Sequence, residues 1–274
     1  MPELPEVETI CRYLRSGTVE HPSILGLHIQ DVQILWHRSI ATPTPDLFRR
    51  QIAGRLIETI NRRGKYLIIN LDGGFSMLVH LRMSGDLWLE SQSASIANHH
   101  RVVFNLDNGM RLAFNDTRKF GRVWLTQKPN EVLSNLGPEP LDTALTREKF
   151  FLLLHARARQ LKPLLLDQSF IAGLGNIYSD EALFQAGLHP LTVSNRVNLE
   201  EAGQLLTSIR STLEEGIRHN GASIDWVYRG GNFQNYFQVY QRSGKACKRC
   251  GSAILRIVVG QRGTHYCPKC QPEP

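Results

Sequence analysis

The sequence predicts an α+β chain of several domains, with a β-sandwich or barrel first and helices after it. Three observations carry this expectation. Short segments rich in aliphatic and β-branched residues follow one another up to about residue 127 with no helix read between them, which favours antiparallel sheets over an α/β sheet. A Gly/Pro-rich stretch, NLGPEPLD at 135–142, then breaks the pattern, and helical periodicity dominates beyond it. Finally, four of the five cysteines crowd between positions 247 and 270, which argues for a metal rather than disulfides. The division expected is a β domain over 1–130, a linker over 131–142, a helical domain over 143–244 and a cysteine-rich module over 245–274.

The first element is a helix. In MPELPEVET, Pro5 and the acids Glu3 and Glu6 suit a helix start, where a missing N–H costs nothing and carboxylates meet the positive end of the dipole. Val7, Ile10, Cys11 and Leu14 then recur at helical spacing, with Cys11 expected as a small buried hydrophobe. A second reading competes with the cap. If Met1 is trimmed, Pro2 offers a free secondary amine beside the Glu3 carboxylate.

The strands follow. KYLIINL (65–71) and SMLVHLR (76–82) are separated by Asp72-Gly73-Gly74, and VVFNLDNGMRLAF (102–114) reads as a hairpin around Asp107-Asn108-Gly109. In that hairpin Phe104 and Leu106 are answered by Leu112 and Phe114, and GRVWLTQ (121–127) is a further strand. Lys65 stands at a strand start, where a solvated lysine is the ordinary outcome. HLRMSG (80–85) and NDTRKFGR (115–122) each set basic residues beside an apolar one. Met83 and Phe120 are either core or, if exposed, wedges for a base stack with Arg118 as a donor.

Beyond the linker, QSFIAGLGNIYSDEALFQAG (168–187) places Gly173 and Gly175 before apolar helical residues. This is either a plain helical hairpin or a turn whose N–H groups and Asn176 side chain receive phosphate. Asn198 followed by Glu201 is a capping box, and Ala202, Leu205, Leu206, Ile209, Leu213 and Ile217 mark one apolar face after it. The aperiodic stretch at 220–238 leads to the cysteines. Cys247, Cys250, Cys267 and Cys270, spaced C-x2-C-x16-C-x2-C, supply two thiolate pairs for one tetrahedral Zn²⁺. Four sulfurs close the site, so this zinc is expected to be structural. Between the pairs a β-hairpin turning near Gly260–Gly263 would expose Arg262, as a solvated charge or as a phosphate contact.

Composition narrows the function classes. A hydrophobic share of 42% with 21% charged residues describes an ordinary globular protein. The excess of 32 Lys+Arg over 25 Asp+Glu gives +7, which favours a polyanionic partner. No apolar run reaches membrane-spanning length and the N-terminus is acidic, so a cytoplasmic location with no membrane contact is expected, nucleoid-associated if DNA is the partner. A monomer is the expected state.

These segments together resemble one family, the bacterial formamidopyrimidine-DNA glycosylases, within a group that includes endonuclease VIII. The resemblance runs in order through PELPEVET, RRGKYL, HLRMSG, RKFGR, LGPEPL, LLLDQSFIAGLGNIYSDEALF and YCPKCQ, over nearly the whole chain. It implies an N-terminal β-sandwich with flanking helices, a helix–two-turn–helix domain and a C-terminal zinc-finger hairpin held by four cysteines. It also implies a bifunctional glycosylase and abasic-site lyase that removes oxidised purines from damaged double-stranded DNA. Carried over to this sequence, Pro2 is the Schiff-base nucleophile, Glu3 the general acid/base with Glu6 supporting it, and Lys65 the essential hairpin lysine. His80, Asn176, Arg262 and Arg118 become DNA contacts, while Met83, Arg118 and Phe120 fill the gap left by the everted base. The chain departs from many relatives at Arg82, where glycine is usual. Its stretch GASIDWVYRGGNFQNYFQVY is shorter than the loop expected to cup 8-oxoguanine. Trp226, Tyr228 and Phe233 are the candidates for a different base pocket there.

Overall fold

The computed structural model describes residues 1–18, 21–223 and 230–274, so the candidates Trp226 and Tyr228 lie outside the described residues. The chain forms two compact units, 1–134 with 220–231 and 135–219 with 232–274.

The first unit opens with α1 (Leu4–Ser16) and continues through β1 (His28–Ile34), β2 (Ile40–Thr42), α2 (Pro45–Ile52), β3 (Arg55–Arg63) and β4 (Tyr66–Leu71). It is completed by β5 (Phe75–His80), β6 (Gly85–Ser91), β7 (His100–Leu106), β8 (Met110–Asp116), β9 (Arg122–Thr126) and the short α3 (Pro129–Leu133). The strands form one sheet in the order β2-β9-β5-β4-β3-β1-β7-β8-β6. Its two halves are joined by a short β1–β3 pairing, His28↔Leu56 and Ile29↔Arg55. Side chains of both halves meet in one core, Ile60, Leu67, Ile69, Val79 and Val123 from one and Val32, Leu87, Phe104, Leu112 and Phe114 from the other. That is the sandwich expected. Val7, Ile10, Cys11 and Leu14 of α1 join the same core, as their spacing predicts.

Two details differ from the sequence reading. A helix does interrupt the strands, because Phe48 and Ile52 of α2 are one helical turn apart and both are fully buried, with Pro45 opening the helix. The sheet is also not wholly antiparallel, since β2 runs parallel to β9. The β7–β8 hairpin turns at Asp107–Gly109 and pairs Phe104 with Leu112 and Val102 with Phe114.

The second unit contains α4 (Arg147–His155), α5 (Leu161–Leu166), α6 (Asn176–Ala186), α7 (Leu199–Arg218) and the hairpin β10 (Leu255–Val259) and β11 (Arg262–Tyr266). The capping box of α7 is present. Asn198 Oδ1 accepts the Glu201 N–H at 2.9 Å and Glu201 Oε2 accepts the Asn198 N–H at 2.8 Å. All six residues of its apolar face are buried. At Gly216, a Cβ would lie 2.5 Å from the Tyr178 ring, so the absent side chain is what lets α7 approach α6. The stretch read as a linker has fixed backbone here: the Gly137 N–H donates to Gln168 O and the Ala172 N–H to Pro138 O. The Arg210 guanidinium adds bonds to the carbonyls of Pro140, Asp142 and Leu145.

Candidate active site and metal centre

The N-terminus is a cap and a cluster of acids at once. Glu3 occupies the N-cap of α1, and Glu6, three residues on, accepts the Glu3 N–H at 2.7 Å in a reciprocal capping box. The other Glu6 oxygen accepts the Ala222 N–H at 2.8 Å. Gly221, at φ +78°, passes so close that a Cβ there would stand 2.7 Å from Glu6 Oε1. Glu6 is therefore fixed from two sides, and through it the backbone at Glu3. Pro2, Glu3 and Glu6 are all buried, while Met1 above them is half exposed. Losing Met1 would free the nitrogen of Pro2, the residue before Glu3.

The same helix packs along the strand that leads to the lysine. Cys11 donates its thiol to Asn61 O at 3.3 Å and Glu8 pairs with Arg62 at 3.1 Å. Moving toward the start of α1 thus moves toward the end of β3, where Gly64 and Lys65 form the two-residue turn into β4. Lys65 is 4% exposed, not the solvated strand-start lysine of the ordinary outcome. The register Tyr66↔His80 then brings His80 beside it.

His80 is buried, edge-on to the Tyr66 ring at 4.7 Å, and its Nδ1 accepts the Arg82 N–H at 3.0 Å. Burial, with the charges of Arg82 and Lys65 adding to it, pulls its pKa down to about 3. His80 is consequently neutral near pH 7, with its proton on Nε2. Any phosphate it meets receives an N–H donor without a positive charge.

The two candidate wedges are exposed, not core: Met83 at 38% and Phe120 at 48%. Arg118 lies with its guanidinium 5.1 Å from the Phe120 ring centre, so the pair stacks at the loop surface. Arg82, also exposed, takes a left-handed backbone at φ 55°.

In the second unit, Gly173 at φ +95° and Gly175 at the N-cap lead into α6, whose first residue is Asn176. Its side-chain amide donates to Gly263 O at 3.0 Å, and its Oδ1 is buried without a partner. An amide NH₂ carries two N–H donors, so one N–H of Asn176 is engaged with the hairpin and any phosphate contact of this side chain would use the other. Sequence reasoning missed the polar residues that tie α6 to the metal module. Lys162, fully buried, donates to Asp180 Oδ1 at 2.5 Å and Ser179 Oγ at 2.7 Å. Asp180 Oδ2 in turn accepts the His265 N–H at 2.8 Å. Glu181 accepts the N–H groups of Gln238, Val239 and Tyr240. The available signal was two consecutive acids directly before the apolar run Ala182-Leu183-Phe184. Phe233, considered for a base pocket, is 4% exposed and stacks on Tyr178 at 5.2 Å, so it belongs to the packing of this unit.

The four sulfurs of Cys247, Cys250, Cys267 and Cys270 all lie within 4.8 Å of one another, two of the pairs at 4.0 and 3.4 Å. A Zn²⁺ with Zn–S bonds of about 2.3 Å needs sulfur–sulfur edges of about 3.8 Å, so the set fits one tetrahedral ion. Burial and the neighbouring sulfurs push the Cys270 thiol up to about 12, while hydrogen bonds from Ser252 pull Cys250 down to about 6. A divalent cation removes that conflict by allowing all four to ionise. Gln271 supports the site, accepting the Cys267 N–H at 3.0 Å and donating to Leu188 O at 2.8 Å. The hairpin turns through Gly260 and Gln261, both at positive φ, and leaves Arg262 exposed at the start of β11.

Comparison with known proteins agrees along the chain. Residues 1–123 match the model of the formamidopyrimidine-DNA glycosylase N-terminal domain, 136–227 its H2TH domain, and 244–272 the zinc finger found in FPG and IleRS. A formamidopyrimidine-DNA glycosylase of Protochlamydia amoebophila is 42% identical over 99% of both chains, and one of Pelotomaculum thermopropionicum is 44% identical over the same shares. A crystal structure of a Lactococcus lactis FPG variant in complex with a Fapy-dG-containing DNA superposes with a TM-score of 0.92 at 35% identity. It covers 99% of this chain and 100% of that one. With three domain models in order and two relatives aligned end to end, this chain belongs to the formamidopyrimidine-DNA glycosylase family.

Proposed function

We propose that this chain is a bifunctional glycosylase and abasic-site lyase of base excision repair, excising oxidised purines from double-stranded DNA through a Schiff base on Pro2. The observation that carries the proposal is the start of α1. There Pro2 is followed by a buried carboxyl group, and Glu6 fixes the backbone that holds both. An α-amine has a pKa of about 7.7–8.0, so a substantial fraction is neutral at cellular pH, whereas an ordinary lysine at about 10.4 is not.

In this reading the freed Pro2 nitrogen attacks C1′ and the damaged base departs with the electron pair of the glycosidic bond. Glu3 exchanges the proton at the sugar. The attacking nitrogen gives up its proton, and the C1′–O4′ bond breaks as O4′ takes a proton from the Glu3 carboxyl group. The opened sugar is held as an iminium that is cationic without protonation, and this electron sink acidifies C2′–H. Its removal expels the 3′ phosphate, and a second elimination expels the 5′ phosphate. Lys65 and the neutral His80 serve the phosphates near the reacting sugar. Met83, Arg118 and Phe120 offset the cost of eversion, a few kcal/mol, by filling the vacancy. The zinc takes no part in these steps, because its four sulfur ligands leave it no open position.

The test is borohydride trapping. Protein lacking Met1 is expected to become covalently linked to duplexes carrying 8-oxoguanine or formamidopyrimidine, and Pro2→Gly to trap far less. The same panel should include thymine glycol and dihydrouracil. Trapping on these alone would overturn the purine assignment, and trapping on no lesion would overturn the mechanism.

A further inference from the structure

We infer that Asp116 is a positioning residue that locks the two wedge-bearing loops into one rigid unit, so that Met83, Arg118 and Phe120 enter DNA together. The inference rests on the wedge reading above. Met83 stands in the turn between β5 and β6, and Arg118 and Phe120 stand in the loop between β8 and β9. Nothing in the sequence joins these two segments.

A single buried carboxylate does. Asp116, the last residue of β8, is 0% exposed. Its Oδ1 accepts the Ser84 hydroxyl and, at 3.1 Å, the Arg118 N–H. Its Oδ2 accepts the Gly121 N–H at 2.7 Å. Ser84 Oγ also accepts the Arg118 N–H at 3.0 Å, closing a triangle between the two loops. Thus the residue after Met83, the backbone of Arg118 and the residue after Phe120 all bond to one carboxyl group.

The surrounding backbone leaves room for little else. A Cβ on Gly121 would collide with the Phe114 ring and lie 3.2 Å from Asp116 Oδ2. A Cβ on Gly85 would collide with Leu81 O, across the turn that the Gly85 N–H closes onto that carbonyl. Between them, Lys119 is at φ 63° with its ammonium over the Trp36 ring.

Chemistry explains why a carboxylate is required. Three donors converge, and only an ionised carboxyl group offers acceptor capacity on both oxygens with no donor of its own. An asparagine would keep one oxygen and turn an N–H₂ toward the Gly121 or Arg118 N–H. Charge-assisted bonds to backbone N–H also make these loops stiffer than neutral ones would. Stiffness matters because eversion leaves a gap of fixed dimensions, and wedges that arrive separately let the base return.

Asp116→Asn and Ser84→Ala test this, with Phe120→Ala as the control for the wedge itself. Single-turnover excision is measured on two duplexes carrying the same lesion, one with an ordinary opposite base and one with an abasic site opposite. In the second no pairing has to be broken and no partner base has to be held. For Asp116→Asn the rate on the fully paired duplex should fall about 10- to 100-fold, the scale of a displaced positioning group, and clearly less on the other. Ser84→Ala should shift the ratio in the same direction, and it keeps the test decidable if Asp116→Asn folds poorly. Equal losses on both duplexes, or no loss, alongside a selective loss in Phe120→Ala would overturn the role of Asp116. A Phe120→Ala protein without selective loss would instead overturn the wedge reading.

Discussion

At the scale of single residues, the structure separates charge from proximity. His80 stands beside Lys65 and Arg82, yet burial keeps it neutral with a pKa of about 3. In the unfolded chain the same group titrates near about 6.5. Between these values the unfolded state binds a proton that the folded state refuses, so stability rises with pH and is lost as pH falls from about 6.5 toward about 3. His80→Gln, which keeps a neutral donor, should flatten the fall in Tm between pH 7 and pH 4.5. An unchanged slope would show that His80 is not the group refusing the proton. Legibility at this scale depended on whether a role leaves a trace in residue type. Pro2 and Glu3 read as cap or as nucleophile, and the structure shows the cap, with Glu3 at the N-cap in a capping box with Glu6. For Asn176, sequence could name a donor but not its partner, since Gly263 lies 87 residues away.

Among the elements, α7 was readable from its capping box and apolar stripe because both are local. The helix α2 was not, since Phe48 and Ile52 are its only two buried apolar residues and one such pair gives a weak period among strands. In α6 the hidden feature is the pair of buried acids, which bind the segments flanking the metal site. Asp180→Asn would leave the Lys162 ammonium buried without its ionised partner, with Asn176 O and Ser179 Oγ as neutral acceptors. Breaking one side of such a pair costs about 3–5 kcal/mol, so denaturant unfolding should show a loss of that order. Adding Lys162→Met should recover part of it. A loss under about 1 kcal/mol would show that the pair carries little of the stability of this unit. The β10–β11 hairpin supplies a separate prediction. If Arg262 meets a phosphate, Arg262→Ala should lower the slope of log K against log salt by about 0.9 and weaken binding alike across sequences. An unchanged slope would leave Arg262 a solvated turn charge.

For the molecule as a whole, sequence showed where chemistry changes but not which parts fold together. The composition shift at 135–142 is visible, whereas the assignment of 220–231 to the N-terminal unit is not, because it rests on contacts such as Ala222 N–H to Glu6. The cysteine cluster likewise reads as a separate module, but Phe184 of α6 packs with Val239, Cys247, Ile254 and Cys267 in one small core. That core has few apolar residues, so the hairpin depends on its metal in a way the large sheet core does not. Removing zinc with a chelator should therefore expose the amides of β10 and β11 to rapid hydrogen exchange and extend the effect to α6 through Asp180 and Glu181. The amides of β4 and β5, deep in the first unit, should keep their protection. If Arg262 meets DNA, binding at low salt should fall together with the hairpin amides, since Arg262 stands at the start of β11. Simultaneous loss of protection in β4 and β5 would mean that the chain unfolds as one cooperative body and that zinc stabilises all of it.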